Sequence, residues 1–255
     1  MTDDWFYKTY LNVRKCLGSP EYRNLDIIDK EMTANEFRHA IQRNDYILIK
    51  SKSKDKRHIS TFLYNEDIIP NARTVIQTIQ REANTSTDVI MITSELFKLK
   101  NKKKIISECK QKIYNYSLFI FIKEIPKGLL VGTHIILTNE EAQHIYNNVL
   151  RTTSDNIQQI SVNDPPLIWI GAKVGQLIKI NAVSIDTMKY IYYRFVIAKP
   201  KMSSSKDNGE EVGDGGEDGK EVKEDDEVEV DEVDEVEAEF IEEAEIEAEE
   251  VDEVT

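Results

Sequence analysis

The sequence predicts an α/β domain in residues 1–125, a smaller α+β domain in residues 126–200 and an acidic tail in residues 201–255. Before residue 126, short β-branched runs alternate with helical patterns, which is typical of parallel strands joined by right-handed helical crossovers. Pro126-Lys127-Gly128 interrupts this alternation, and shorter, less regular elements follow it. After residue 200, Phe240 is the only aromatic residue.

Charge also separates the tail from the rest of the chain. The formal net charge of the 255 residues is −14. Residues 201–255 contain 26 acidic and 4 basic residues and carry −22, which leaves +8 on residues 1–200. A basic folded part attracts polyanions while an acidic tail stays in solvent, so the isoelectric point of the whole chain describes neither part.

Four helices are predicted in the first domain. Residues 5–17 have apolar side chains at helical spacing and stop before a Gly-Ser-Pro turn. Thr33 is a predicted N-cap because Glu36 follows three positions later, and this helix runs to about residue 43. Pro70 begins a third helix that ends near residue 84. Residues 102–112 are predicted as a basic fourth helix.

Three strands are predicted between and after these helices. Residues 59–64, 89–92 and 117–122 are short runs rich in β-branched and aromatic side chains. The segment from Lys50 to Arg57 is interpreted as a basic loop. Because the strands alternate with helices, we expect them to pair in parallel.

The second domain has one predicted helix and two predicted strands. The helix covers residues 139–149, and the strands lie around residues 177–180 and 190–197. Asn163-Asp164-Pro165-Pro166 is turn chemistry because proline fixes φ. Gly171 and Gly175 are available for positive φ, and we expect a close backbone approach at Gly175.

We expect the acidic tail to be disordered, because it has too few apolar residues to offset its chain entropy. Val and Glu alternate between residues 227 and 237, but like charges would repel across a sheet. Two roles stay open for the tail. It is either a solubilising appendage or an internal competitor that limits unspecific contact between the basic part and nucleic acid.

The sequence lacks the motifs of common catalytic sites. It contains no GxxxxGK[ST], GxGxxG, HExxH or GxSxG pattern. Glu140 and Glu141 are adjacent, so they point to different faces of a helix and complement its dipole after Thr138. The four histidines are scattered over predicted helices and strands, where packing is their usual role: His39, His58, His134 and His144.

The two cysteines, Cys16 and Cys109, lie far apart without a nearby His cluster, so we expect reduced thiols and no structural zinc. There is no charged-then-apolar leader and no apolar run of about 18 residues. We therefore expect a soluble chain from a reducing compartment, with no membrane contact, no cofactor, no metal, no small-molecule substrate and no active site of its own.

Two lysine clusters are the remaining polar signal. Each is either a solvated face or a set of point charges that contact phosphates without sequence preference. The first cluster contains Lys50, Lys52, Lys54, Lys56 and Arg57. The second contains the residues that we name as candidates for DNA contact: Lys98, Lys100, Lys102, Lys103 and Lys104.

The second domain carries strings that match a known family. Residues 130–141 contain a Leu-Val pair, His134 and a Glu-Glu helix start. Further matches follow at family spacing: Ile160, Asp164-Pro165, Gly171-x-Lys173-x-Gly175, Lys179-Ile180, Ser184 and Tyr193-Arg194. On these residues the chain resembles the fifth subunit of eukaryotic-type nuclear RNA polymerases, whose C-terminal part matches a smaller archaeal polymerase subunit.

Three positions depart from the family pattern. Gly132 stands where the family has proline, Gln158-Gln159 replaces Leu-Pro, and Ala182 replaces an arginine. The resemblance is strong from Glu124 onward and weak before it, where the order of elements agrees better than the residues do. The acidic tail lies outside the pattern.

The resemblance implies a non-catalytic subunit of a DNA-directed RNA polymerase, a nucleotidyltransferase complex. By this resemblance the second domain docks on the largest subunit near other subunits, and the first domain is a jaw beside downstream duplex DNA. The assembly contacts that it implies are His134, Asp164, Pro165, Gly171, Lys173, Gly175, Tyr193 and Arg194.

Two questions stay open: whether the protein is viral or cellular, and whether it works within a polymerase or as a free-standing protein. Frequent Ile, Asn and Lys and a divergent jaw favour a large nucleocytoplasmic DNA virus, although an AT-rich protist gives the same bias. A viral protein is expected in the virion and the cytoplasmic viral factory, and a cellular one in the nucleus. The alternative function is a free-standing nucleic-acid-binding or nuclease-like protein, for which Asp88 with Lys98 or Lys100 is the nearest motif.

Overall fold

The computed structural model describes residues 4–127, 131–184 and 188–198. These residues form a mixed α/β structure with one sheet of five strands and one of four. The predicted tail, residues 201–255, lies outside the described residues, as does Leu130 of the family pattern.

The first sheet and its helices come from the first half of the chain. The strands, in the order β1-β2-β3-β4-β5, are β1 (Asp26–Ile27), β2 (Tyr46–Lys52), β3 (His58–Tyr64), β4 (Asp88–Thr93) and β5 (Lys112–Ser117). The helices are α1 (Asp4–Gly18), α2 (Ala34–Arg43), α3 (Ala72–Glu82) and α4 (Leu99–Glu108).

Helices α1 and α2 cover one face of this sheet. Phe6, Tyr10 and Val13 follow one another at helical spacing on α1 and are buried against residues such as Ile49 and Ile90. Each such burial contributes about 1.5–3 kcal/mol. The capping box predicted for α2 is confirmed, because the Thr33 side chain accepts a hydrogen bond from the Glu36 backbone N–H.

Helices α3 and α4 cover the opposite face. Val75 and Ile79 of α3 and Ile105 of α4 pack against Phe62 of β3 and Met91 of β4. The first sheet is therefore the middle layer of a three-layer α/β/α arrangement, and every residue of β4 is buried.

The predicted parallel pairing is only partly right. β3 pairs with β4 and β4 with β5 in parallel, but β1, β2 and β3 pair antiparallel. The interpretation of Lys50 to Arg57 as a loop is wrong for its first residues. Lys50 and Lys52 belong to β2, and only the turn after them connects β2 to β3. The lysines of this segment suggest a loop, but buried and less buried residues alternate along β2, as they do in a strand with one covered face.

The predicted strand over residues 117–122 is also wrong. β5 ends at Ser117, and Leu118–Phe121 form a 3₁₀ helix. Leu118 and Phe121 are buried, whereas Phe119 is 65% exposed, because a 3₁₀ turn brings side chains three positions apart to one face. The predicted fourth helix ends earlier than expected, at Glu108, because residue 112 already belongs to β5.

The second sheet has the strand order β6-β8-β9-β7. Its strands are β6 (Thr133–Ile136), β7 (Gln159–Ser161), β8 (Leu177–Ser184) and β9 (Met188–Ile197). Two short helices accompany it, α5 (Asn139–His144) and α6 (Pro165–Ile170). The helix predicted over residues 139–149 changes after His144 into a π-helical segment, Ile145–Leu150, which ends where Arg151 adopts a left-handed conformation with φ 50°.

The predicted boundary at residues 125 and 126 is not visible in the packing of the core. Ile168 and Trp169 of α6 are 3% and 0% exposed and belong to the same apolar cluster as α1 and Phe121. The division into a jaw domain and an assembly domain therefore stays a prediction.

Candidate assembly and nucleic-acid surfaces

Helix α6 is the element that joins the two sheets. Asp164 is its N-cap residue, Pro165 follows at the first helical turn, and Gly171 ends it in a left-handed conformation with φ 71°. The predicted turn residues therefore delimit a helix. Leu167 and Ile170 pack on the second sheet, whereas Trp169 packs on the first part of the chain.

Trp169 is held by polar and aromatic contacts from three segments. Its indole N–H donates to the Ile120 carbonyl at 3.1 Å. Its ring lies 5.1 Å from the ring of Tyr22 and 5.9 Å from that of Phe121. The Cys16 thiol donates to the Trp169 carbonyl at 3.4 Å, and burial raises the pKa of this thiol to about 11.

Arg23 fixes the same helix from the other side. Its Nε and Nη2 both donate to the Ile168 carbonyl, at 3.0 and 2.7 Å, and its guanidinium lies 5.5 Å from the ring centre of Tyr116. A Cβ atom at Gly171 would lie 3.1 Å from Cγ of Arg23. Gly171 is therefore required by close packing as well as by its positive φ.

Three of the predicted assembly residues form a charged group on the α6 side of the second sheet. His134 of β6, Asp164 and Arg194 of β9 lie within electrostatic range of one another. Burial lowers the pKa of His134 and raises that of Asp164, since both charged forms lose hydration. Arg194 Nε is buried and has no hydrogen-bond partner among the described residues.

Tyr193 and Arg194, adjacent in the family pattern, point to opposite faces of the second sheet. Arg194 shares its face with Ile178, its partner in β8, and stacks at 5.5 Å on the ring of Tyr192. Tyr193 pairs with Lys179 on the other face. The structure therefore divides the predicted assembly residues between two surfaces.

The face that carries Tyr193 is largely open. Ile135 and Ile191 on this face are 40% and 55% exposed. A groove of about 360 Å³ lies on the same face and is lined by Leu137, Ile145, Lys179, Tyr193 and the polar side chains Glu140, Glu141 and His144. Hydrophobic side chains that stay exposed around such a groove are typical of a protein-binding surface.

The glycines of this region correct one prediction. A Cβ atom at Gly175 would meet no atom within 4 Å, so the expected close backbone approach does not occur there, although φ is 88°. The close approach occurs at Gly132, where a Cβ would lie 2.8 Å from the Asn181 carbonyl oxygen and 3.2 Å from Cα of Ala182. Two positions that depart from the family pattern, Gly132 and Ala182, thus touch each other.

Lys173 lies in the loop that connects α6 to β8. Its side chain is exposed, and its backbone N–H donates to Oε1 of Gln176 at 2.8 Å. The same loop is tied to β9, because the Gly175 N–H donates to the Val196 carbonyl at 3.0 Å. Lys173 is therefore presented on a short, fixed turn.

The predicted DNA-contact residues line the first turns of α4. Lys98 is the N-cap residue, and all five lysines are exposed: Lys98, Lys100, Lys102, Lys103 and Lys104. Lys104 lies 4.0 Å from Glu108. Two apolar side chains accompany the lysines, because Leu96 and Leu99 are 59% and 41% exposed.

The two lysine clusters lie at opposite edges of the first sheet. α4 begins after the C-terminal end of β4, whereas the β2–β3 turn meets the N-terminal ends of β3 and β4. The structure therefore does not bring them together into one basic surface.

Sequence reasoning missed the residues that join the two sheets. The signal for α6 was present, because Asp164, Pro165 and Gly171 are the N-cap, first-turn proline and C-terminal glycine of a helix around an apolar run. No local pattern marks Arg23, whose partners lie far along the chain.

Neither a metal-binding cluster nor a membrane-spanning helix occurs among the described residues. Within them, no group of three or more His, Cys, Asp or Glu side chains is arranged to hold a metal ion. None of their helices is long and apolar enough to cross a membrane.

Comparison with known proteins gives matches in both halves of the chain. Residues 123–196 match the model of the RNA polymerase Rpb5 C-terminal domain. The chain is 25% identical over 189 residues to the DNA-directed RNA polymerase RPB5 homolog of African swine fever virus, isolate Warthog/Namibia, covering 69% of this chain and 91% of the viral protein.

Archaeal proteins match a shorter part of the chain than the viral protein does. The chain is 43% identical over 68 residues to the DNA-directed RNA polymerase subunit Rpo5 of Methanothrix thermoacetophila, covering 27% of this chain and 86% of the archaeal one. Rpo5 of Archaeoglobus fulgidus is 32% identical over 69 residues, which is 27% of this chain and 90% of that protein.

Proposed function

Because the chain belongs to the Rpb5 family of DNA-directed RNA polymerase subunits, we propose that it docks on the largest subunit of its polymerase through its second sheet and flanks downstream DNA with its first. It contributes to transcription as a structural subunit, and the chemistry belongs to the complex. The viral relatives, which match most of the chain, favour a viral polymerase, with the protein in the virion and the cytoplasmic viral factory.

The observation that carries the docking proposal is the open face of the second sheet. A sheet that buried all of its apolar residues within one chain would not leave Ile135 and Ile191 exposed beside a groove. Tyr193 and Lys179, which pair across β9 and β8, line the groove on this face and belong to the proposed docking surface. His134, Asp164 and Pro165 act indirectly by holding α6 against the sheet.

The DNA part of the proposal depends on the lysines. The residues of α4 named above, Lys98 to Lys104, are the candidates for contact with phosphates of downstream duplex DNA. Their contact is electrostatic, so neutralising them should weaken binding equally for all sequences.

Affinity purification tests the docking proposal. A tagged full-length chain, expressed with the polymerase that it serves, should recover two very large polymerase chains at one copy each. Recovery of the tagged chain alone, together with DNA binding or cleavage by that free chain, would instead establish the alternative of a free-standing nucleic-acid-binding or nuclease-like protein.

A further inference from the structure

We propose that the N-terminal edge of the first sheet is a second nucleic-acid surface, which binds the phosphate backbone without reading sequence. We define it as the hairpin edge: the turn between β2 and β3 together with the starts of β4 and β5. This inference deepens the proposed function, and it rests on the proposal that the first sheet flanks downstream DNA.

The sheet register assembles the hairpin edge from three distant segments. Lys52 pairs with His58, Ile59 with Asp88, and Asp88 with Lys112. The strands thus bring the start of β5 to the same edge as the turn. The lysines that meet there are Lys52, Lys54, Lys56, Lys110 and Lys112, and all except the half-buried Lys52 are exposed.

Acidic groups at this edge are largely occupied. Asp55 and the buried Asp88 both pair with Arg57, at 2.9 and 3.4 Å. The backbone and Arg57 hydrogen bonds lower the pKa of Asp55, so this carboxylate stays ionised in its pair. Asp26 lies opposite Lys52, and Glu108 lies 4.0 Å from Lys104. Lys54, Lys56, Lys110 and Lys112 therefore have no acidic partner among the described residues.

The turn presents its lysines on a fixed backbone. The N–H groups of Ser53 and Lys56 donate to the carbonyls of Arg57 and Ser53, both at 2.9 Å. Lys56 has φ 66°, a left-handed conformation that glycine and asparagine adopt more readily. A lysine at this position costs stability relative to glycine, and its charge at the tip of the turn gives a functional reason for it.

The chemistry of the hairpin edge favours a phosphate backbone over a protein partner. Between the lysines lie small polar residues, Asn84, Thr85 and Thr87, and the edge residues 53–58, 84–88 and 108–112 include no exposed large hydrophobic side chain. Protein interfaces depend on buried aromatic or aliphatic anchors. Phosphates are instead bound by lysine, hydroxyl and amide groups.

The test compares two triple variants of the full-length chain. Lys54→Gln, Lys56→Gln and Lys112→Gln neutralise the hairpin edge, and Lys100→Gln, Lys102→Gln and Lys103→Gln make the same charge change on α4. All six lysines are exposed or nearly so. Binding to a short fluorescent DNA duplex is measured by anisotropy between about 50 and 200 mM salt.

We expect the hairpin variant to lose about tenfold or more in affinity and its salt slope to fall by about 0.9 for each lost contact. The α4 variant should lose less. A hairpin variant that binds like the unmodified chain, or a larger loss in the α4 variant, would overturn the inference. A second result would also overturn it: the unmodified chain binds polyglutamate, the hairpin variant does not, and both bind DNA equally well. The hairpin edge would then be a surface for an acidic protein.

Lys56→Gly separates binding from folding. It removes one charge and suits the left-handed conformation, so the thermal midpoint should stay equal or rise while the salt slope falls by about 0.9. An unchanged slope would contradict the inference. Recovery of the large polymerase chains by the hairpin variant distinguishes the two proposals, because that recovery tests docking and does not depend on this edge.

Discussion

The first sheet is covered by helices on both faces, whereas the second is covered by α6 on one face and leaves Ile135 and Ile191 exposed on the other. The first sheet can bury its apolar residues within the chain. The second sheet leaves apolar side chains of its other face exposed among the described residues. This difference teaches that the coverage of a sheet's two faces shows where a partner can bind: helices cover both faces of the first sheet, whereas the second sheet offers the face on which we propose docking.

The two parts nevertheless share a core at α6. Trp169 belongs to the same apolar cluster as the buried residues of α1, and Arg23 donates a hydrogen bond to the carbonyl of Ile168. Removal of residues 1–124 would therefore uncover a tryptophan that the chain now buries completely. The first part of the chain therefore helps to position the second sheet and the open face that we propose for docking.

Replacement of Trp169 should have the largest effect. Trp169→Ala removes a fully buried ring and its bond to the Ile120 carbonyl, so the free energy of unfolding should fall by about 3–5 kcal/mol. Urea denaturation measures the loss. Ile191→Ala is the control, because an exposed residue should change stability by less than about 0.5 kcal/mol. Equal losses in the two variants would show that the shared core does not stabilise the fold.

A charge on the open face should prevent assembly without unfolding the chain. Ile191→Glu introduces a carboxylate at a side chain that is 55% exposed, and burying it against a partner without a counter-charge should lower affinity at least about tenfold. Stoichiometric recovery of the largest subunit is the measurement. Ile69→Glu is the matched control, since Ile69 is 59% exposed near the first sheet. If both variants assemble normally, the open face is not the docking surface.

The two glycines around the loop after α6 offer a finer comparison. Gly171→Ala and Gly175→Ala both force alanine into a left-handed conformation, at a cost of about 1–2 kcal/mol. Gly171→Ala should cost more, because its Cβ would also press on Arg23, whereas Gly175 has free space. Thermal unfolding of both variants tests this order, and a larger loss at Gly175 would contradict the packing described here.

These residues also show how far sequence reasoning reaches. Signals within one turn are sufficient where the physics is local: Thr33 with Glu36 caps α2 as the spacing predicts, and Glu140 and Glu141 lie in the first turn of α5, where they complement the helix dipole. The capping box of Thr138 with Glu141 was not predicted. The apolar run Leu118–Phe121 was misassigned because a short run has no period that separates a buried strand from a 3₁₀ turn.

The rest depended on tertiary structure. The lysines of the hairpin edge come together only through the register of β3, β4 and β5, which no window of sequence contains. The exposed face of the second sheet could not be assigned either, because alternation gives two faces but does not tell which one α6 covers. The family resemblance names candidate assembly residues, but it does not give their division between the two faces.

The charged group beneath α6 predicts a shallow pH dependence of stability. Burial lowers the pKa of His134 below its unfolded value near 6.5, although Asp164 opposes this shift and Arg194 adds to it. The unfolded chain therefore binds a proton more readily, and stability falls as pH decreases through about 6.5. Asp164 has a raised pKa with the opposite sign, but it acts at lower pH.

Thermal melts between about pH 7.5 and 5.5 cover the pH range in which a histidine of the unfolded chain gains its proton. His134→Asn should flatten the slope relative to the unmodified chain, whereas His39→Asn, on the exposed side of α2, should keep it. Equal slopes in both variants would show that His134 is not the group responsible.

Removal of residues 201–255 should have the smallest effect. It should change the nonspecific DNA affinity of the lysines around the first sheet and leave docking by the second sheet unchanged. Deletion changes the net charge from −14 to +8 and leaves every lysine of the two basic edges in place. Nonspecific binding to duplex DNA should tighten a few-fold at low salt and converge with that of the full-length chain at high salt, where screening removes the difference. Recovery of the largest subunit should not change, since the open face of the second sheet remains. Anisotropy titrations at matched ionic strength measure both chains, and identical curves at low salt would leave the tail with a solubilising role alone.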